Sequence, residues 1–210
     1  MTIAPQKSTT DSVFMQTDWL GYSKVLDLIG DRHIHVTYDR GRLEILSPGT
    51  KHERGKSVLS HVLEHLMEAN EVDYEIGGMV TLRREDLDRG LEPDECYWIQ
   101  HCVKMRAQDT LDLLEDPPPD LAIEVEVTKT VIERLPVYAA LGVPEVWRLK
   151  RDGQVEILVR TPAGEYQTVP SSPSLPGLPM ATIYQFMGLS KTLTKPELYR
   201  QIQAWAATHP

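Results

Sequence analysis

The stretch from which the fold is read is Leu121-Ala122-Ile123-Glu124-Val125-Glu126-Val127. In an extended chain Leu121, Ile123, Val125 and Val127 fall on one face and Ala122, Glu124 and Glu126 on the other. Carboxylates on a Val/Ile/Leu strand are costly unless they face water, pair with a cation or hold a metal. An antiparallel strand with one solvated face would carry them freely, and this strand alone slightly favours that reading. Pro93-Asp94, thirty positions before Glu124 at the head of the short strand DECYWI, adds a second acid. Hard cations such as Mg²⁺ or Mn²⁺ take one or two carboxylates and leave their remaining positions to water and phosphate. An ion held by Asp94 and Glu124 can polarise a phosphodiester and acidify an attacking water.

Working outward, Thr17 is placed to cap a helix through WLGYSKVLDLIG that Gly30 ends. HIHVTY and RLEILS alternate like strands, with Asp39-Arg40-Gly41 as their hairpin turn. From about His52 to Asn70, Val58, Leu59, Val62, Leu63, Leu66 and Met67 recur with a helical period. EIGGMVTL reads as one strand with a bulge at Gly77-Gly78, and REDLDRGLEP as a polar turn. HCVKMRAQDTLDLLEDPPP lacks periodicity and reads as a stiff connector. Pro136 opens a helix through VYAAL that Gly142 closes. EVWRLK and QVEILVR form a hairpin around Asp152-Gly153, and GEYQTV offers a further strand. MATIYQFM is a short helix, and Thr194 with Glu197 makes a capping box for a last one, ELYRQIQAWAA. The order implies an α/β protein, a mixed β-sheet flanked by helices. Residues 1–16 read as a disordered tail and 17–210 as a single domain.

Of the 210 residues, 41% are hydrophobic and 25% charged, ordinary for a globular protein, and no apolar run is long enough for a membrane helix. Two cysteines, Cys96 and Cys102, are too few for a disulfide framework and read as free thiols in a reducing cytoplasm. The net charge of −9 argues against nonspecific coating of nucleic acid, which rests on a basic excess. DNA contacts would need local patches: Lys51, Arg54 and Lys56; Arg83 and Arg84; Arg148, Lys150 and Arg151. Each reads more readily as solvated surface charge.

YDRGRLEILSP, HERGKSVLSHVLEHL, LEPDECYWI and PPPDLAIEVEVTKTVIERLPVYAALGVPEVWRL occur in this order. The run resembles the Uma-two family of PD-(D/E)xK nuclease-like proteins, common in cyanobacteria, over most of the chain from residue 17 to residue 188. The resemblance implies a restriction-endonuclease-like core that hydrolyses DNA with Mg²⁺ or Mn²⁺, and Asp94 and Glu124 as its metal-binding carboxylates. It also implies a role, as metal ligand or phosphate contact, for a histidine at the start of the long helix, here His52. A lone histidine there is as readily a satisfied core residue. Glu53 is a weaker candidate for the acid often found on the first helix of such nucleases. The motif's lysine position is Glu126, which could orient water or a second ion. The family's displaced basic residue falls on Arg134, while Lys129 lies closer in sequence to Glu124. Arginine stabilises phosphoryl charge but does not readily yield a proton; Lys129 therefore stays open beside it. By analogy, such cores often act as homodimers.

Two other readings stand beside this one. His61-Val62-Leu63-Glu64-His65 fits the H-x-x-E-H pattern of inverted zinc proteases, but both histidines lie opposite the apolar stripe and no distal ligand is evident. With Glu126 where lysine belongs, the fold could also serve as a degenerate DNA-binding or interaction module. No GxxxxGK[ST] string is present, so the glycines point to turns and packing rather than to a nucleotide cofactor.

Overall fold

A computed structural model describes residues 12–30, 32–47, 49–126 and 130–209. The first strand, β1 (Ser12–Gln16), was expected within the unstructured tail, but it pairs antiparallel with β3 (Arg42–Leu46). Its side chains are all exposed, so backbone hydrogen bonds hold it and no apolar pattern announces it. Helix α1 (Trp19–Ile29) follows. Its cap is Asp18, whose carboxylate accepts from the Gly21 N–H at 2.8 Å, and not the neighbouring Thr17. Strand β2 (His35–Asp39) and β3 form the expected hairpin, with Arg40 and Gly41 at φ 48° and 83° in the two-residue loop.

Helix α2 (Thr50–Ala69) starts two residues before the expected His52. The strand expected across EIGGMVTL is instead two, β4 (Glu75–Ile76) and β5 (Leu82–Arg84), in different sheets. The glycines make that crossing possible. A Cβ on Gly77 would sit 2.4 Å from Cys96 Sγ and 2.6 Å from the Trp98 ring, and Gly78 has φ 58°. The polar turn after it contains β6 (Arg89–Leu91), a hairpin partner of β5. Then come β7 (Glu95–Trp98) and α3 (Cys102–Arg106), a short helix in the expected connector. Strand β8 (Leu121–Val125), helix α4 (Leu135–Leu141) and β9 (Glu145–Leu149) complete a parallel crossover, with Pro136 and a left-handed Gly142 bounding the helix as expected. Strands β10 (Val155–Arg160) and β11 (Tyr166–Val169) and helices α5 (Met180–Leu189) and α6 (Lys195–Ala206) close the chain, with the Thr194–Glu197 capping box in place.

The architecture is the expected mixed α/β class, but with two sheets among the described residues. One runs β1-β3-β2-β6-β5 and is antiparallel; the other runs β11-β10-β9-β8-β7-β4, with β8 and β9 parallel. Alternation along β8 sends Leu121, Ile123 and Val125 into a core shared with α2, α5 and α6. Ala122 points to the opposite core, built with Val137, Tyr138 and Leu141 of α4. Helix α4 also touches β5 and β6, so it lies between the two sheets. In the antiparallel sheet, Val36, Tyr38 and Leu43 pack with Tyr22 of α1, whose ring stacks on Tyr38 at 4.8 Å. The other face of β2, bearing His35, Thr37 and Asp39, is buried too. It faces the head of α4.

Candidate active site

Polar residues converge where β2, the head of α2, the start of β7, the middle of β8 and the head of α4 meet. Asp94 precedes β7, and its N–H bonds the Ile123 carbonyl of β8 at 3.2 Å. Its carboxylate accepts from the Val125 N–H at 2.6 Å. His52 Nε2 lies 2.9 Å from Oδ2 of Asp94, and His35 Nε2 lies 3.3 Å from Oδ1. All three side chains are almost wholly buried. Burial works against the Asp94 charge, but the His52 contact and the fields of His35 and Arg134 outweigh it and hold the carboxyl below its ordinary range. Burial likewise opposes a charged His52; its contact with Asp94 prevails and raises its pKa. His35, with less compensation, is pushed down to about 4 by burial and is neutral near pH 7.

Glu124 sits one strand over, on the α4 side of β8. Arg134 donates to its Oε1 at 2.7 Å, and the Tyr138 hydroxyl donates to the same atom. Burial first, and then the neighbouring Asp94 charge, push Glu124 above its usual range, against the pull of Arg134. Arg134 also donates to Thr37 Oγ1 at 2.7 Å and to the Glu92 carbonyl. Three acceptors, on β8, on β2 and on the connection between β6 and β7, thus fix the guanidinium.

Two buried acids hold this arrangement. Glu44 of β3 accepts from the backbone N–H groups of Val131 and Ile132, at 3.0 and 2.9 Å, and so ties down the segment leading to Arg134. Glu92 accepts from the Val36 N–H and the Thr81 hydroxyl, at 2.8 and 3.0 Å. Neither Glu44, Glu92 nor His35 was singled out from the sequence. The available signal was cross-strand: Thr37 lies opposite Glu44 in the hairpin, so the HxT and Glu positions share one polar face.

Asp94, Glu124, Arg134 and His52 line one cavity of about 30 Å³, room for an ion or a water but not for a nucleotide. Glu124, Val125, Thr130 and Arg134 also line a cleft of about 400 Å³ beside it, together with Glu126, Glu133 and Arg148. Glu126 therefore faces the outer cleft and is exposed. Glu53 stands at the α2 edge, its Oε1 3.5 Å from His52 Nδ1 and its other oxygen 3.3 Å from Lys56. Lys129 lies outside the described residues. Another cleft of about 430 Å³, lined by Trp19, Arg83, Asp112 and others, holds none of these groups.

The donor set fits a divalent cation. Asp94 and Glu124 place two carboxylates on one ion-sized cavity, and both described bonds to Glu124 land on Oε1, leaving Oε2 able to coordinate. Each basic patch is partly paired: Lys56 with Glu53, Arg84 with Asp86, and Arg148 and Lys150 with the one carboxylate of Glu156. The zinc-protease reading lacks a third ligand: no further metal-capable donor joins His61 and His65 among the described residues. His61 and His65 meet at 3.0 Å between their Nε2 atoms and pack toward Tyr199. The described residues bring three metal-capable donors together elsewhere, at His35, His52 and Glu53. Cys96 and Cys102 are free, as expected, and both are buried.

Fold and site together define a mixed α/β protein with an acidic, arginine-braced centre at the edge of a cleft. The chain belongs to the Uma2 family, described as "Putative restriction endonuclease", whose model matches residues 23–190. The family's description points to a nuclease of the restriction-endonuclease type, as the motif run implied. Among solved structures the chain is similar to one titled "a putative nuclease belonging to DUF820 from Anabaena variabilis ATCC 29413". That likeness has 15% identity and a TM-score of 0.46, and covers 81% of this chain and 90% of that one. No curated protein matches. No helix among the described residues is long and apolar enough to cross a membrane.

Proposed function

We propose that this protein is a metal-dependent endonuclease that hydrolyses phosphodiester bonds in DNA. The observation that carries the reading is the pair of carboxylates, buried Asp94 just before β7 and largely buried Glu124 on the neighbouring β8, around one ion-sized cavity that adjoins a nucleotide-sized cleft. Asp94 and Glu124 would hold Mg²⁺ or Mn²⁺. When bound, the ion supplies Lewis acidity toward a phosphoryl oxygen and toward water. Arg134 supplies fixed positive charge for the phosphoryl oxygens, and its three-point hold means that this charge is already oriented when the phosphate arrives. Guanidinium does not release a proton near neutral pH, so Arg134 stabilises charge and does not act as a base. Glu126, on the cleft wall, is placed to orient water or a second ion. Two buried free thiols fit a reducing cytoplasm.

The test is relaxation of supercoiled plasmid with Mg²⁺ or Mn²⁺. The parent protein should nick or linearise it, and Asp94→Asn and Glu124→Gln should each abolish cleavage. A second reading, a DNA-binding module without cleavage, is favoured by Glu126 in place of the motif's lysine. Metal-independent DNA binding by a parent that cuts no substrate would select it.

A further inference from the structure

The string His61-Val62-Leu63-Glu64-His65 places two imidazoles outside the candidate active site. They stand one turn apart on α2, and His61 lies roughly 13 Å along the helix from His52. Glu64, between them, is turned to other work: its carboxylate accepts from the Tyr97 hydroxyl at 2.9 Å. His61 and His65 approach each other, Nε2 to Nε2, at 3.0 Å. The other nitrogen of His65, Nδ1, faces Glu68 Oε2 at 3.1 Å, and Glu68 Oε1 accepts from the Tyr74 hydroxyl at 3.1 Å. An ionised carboxylate only accepts, so His65 carries its hydrogen on Nδ1 and turns the lone pair of Nε2 toward His61. The hydrogen between the two rings is therefore His61's own. When it moves to Nδ1 of that ring, both Nε2 lone pairs converge on one point. Burial, then His65 and Lys195, lower the His61 pKa, so this imidazole is neutral near pH 7 and free to take a metal.

We infer that His61 and His65 form a bis-imidazole site on the α2 surface for a tetragonal first-row ion, Cu²⁺ or Ni²⁺, with water in its remaining positions. Two nitrogens each about 2.1 Å from one ion lie roughly 3.0 Å apart at a right angle and roughly 3.4 Å apart in a tetrahedron. The Nε2 spacing of 3.0 Å is the right-angle one, the geometry of Cu²⁺ and Ni²⁺ rather than of tetrahedral Zn²⁺. Mg²⁺ takes oxygen ligands and has no affinity for such a pair. The outer partners are in place. A carboxylate behind a metal-binding histidine fixes its tautomer and raises its basicity. Glu68 is that carboxylate for His65, Tyr74 holds Glu68, and the Tyr199 ring of α6 packs edge-on against His65 at 4.9 Å. Both imidazoles are part-exposed, so an ion reaches them from solvent.

The test is addition of Cu²⁺ alone, below one equivalent, to the full chain, with the backbone amide signals followed by NMR. Cu²⁺ is paramagnetic and broadens the signals nearest to it, so those of residues 58–68 should fade before those around Asp94 and Glu124. Excess Mg²⁺ should not restore them. By calorimetry, His61→Ala and His65→Ala should each weaken Cu²⁺ binding about tenfold or more, and Glu68→Gln by about tenfold as an outer partner. Glu71→Gln, which removes an exposed acid near the end of the same helix, should leave the affinity unchanged and so separates positioning from general charge. None of these four residues is buried, so the variants fold and should unfold near the parent's temperature without metal. Fading that begins around Asp94 and Glu124, unchanged affinity in His65→Ala or in Glu68→Gln, or equal losses in Glu68→Gln and Glu71→Gln would overturn the site. The inference is separable from DNA cleavage: Cu²⁺ uptake at α2 without nuclease activity retains it, and Mg²⁺-driven cleavage without that uptake removes it alone.

Discussion

Arg134 and Glu124 are ten positions apart in the chain and 2.7 Å apart at their charged ends, in a buried ion pair that fills the ground between β8 and α4. Breaking such a pair from one side strands a buried charge and costs about 3–5 kcal/mol. Arg134→Ala should therefore lower the urea midpoint, and Mn²⁺ should restore part of the loss, because an ion at the carboxylates replaces the missing charge. A variant as stable as the parent without metal would show that the pair does not neutralise Glu124.

In cleavage, Arg134→Ala should abolish activity while Lys129→Ala keeps it, measured on plasmid below the unfolding temperature of both. The reverse result moves the electrostatic role to Lys129. Near-complete activity in both variants removes a cation from the chemistry.

Glu44 holds the segment before α4 through the Val131 and Ile132 N–H groups. Glu44→Gln leaves one acceptor oxygen facing two backbone donors, the buried one at Ile132 and a part-buried one at Val131, a loss of about 1–3 kcal/mol in chemical denaturation. Hydrogen exchange at Val131 and Ile132 should quicken beyond the global change. Exchange unchanged at both amides would mean that Glu44 does not position the segment.

Asp39 is buried among Arg40, Arg42 and Arg89. Burial raises its pKa, the bonds from Arg89, Arg42 and Arg40 lower it, and the net is downward. A carboxyl lowered on folding contributes stability that is complete above its unfolded pKa and is lost as pH falls through the folded value. The stability gap between the parent and Asp39→Asn should thus be full at pH 6 and shrink below about pH 4. A gap constant across that range would mean that the arginines leave its titration unchanged.

At Gly77 the constraint is steric. Gly77→Ala puts a methyl against Cys96 Sγ and the Trp98 ring, and should cost about 1–3 kcal/mol as an overpacked site. Thermal unfolding at the parent's midpoint would show that β7 shifts freely.

The sequence determined what depends on neighbours along the chain. The β8 alternation, the apolar stripe of α2, the Pro136 and Gly142 bounds of α4, the Arg40-Gly41 turn and the Thr194 cap are local, period-two or period-3.6 signals, and each stands as read. The Asp94–Glu124 pair was legible because proline-aspartate and a mid-strand glutamate keep their order in the family's motifs. The tertiary structure decided what depends on distant chain meeting distant chain. Two short strands split at Gly77-Gly78 into different sheets, because pairing partners and the space under Trp98 are not written locally. β1 joins an edge through backbone bonds that leave no side-chain pattern. His35 and Glu44 read as ordinary strand residues until β2 folds against the heads of α2 and α4. Only then do two imidazoles, four buried acids and one guanidinium share a low-dielectric space in which each one's charge depends on the rest.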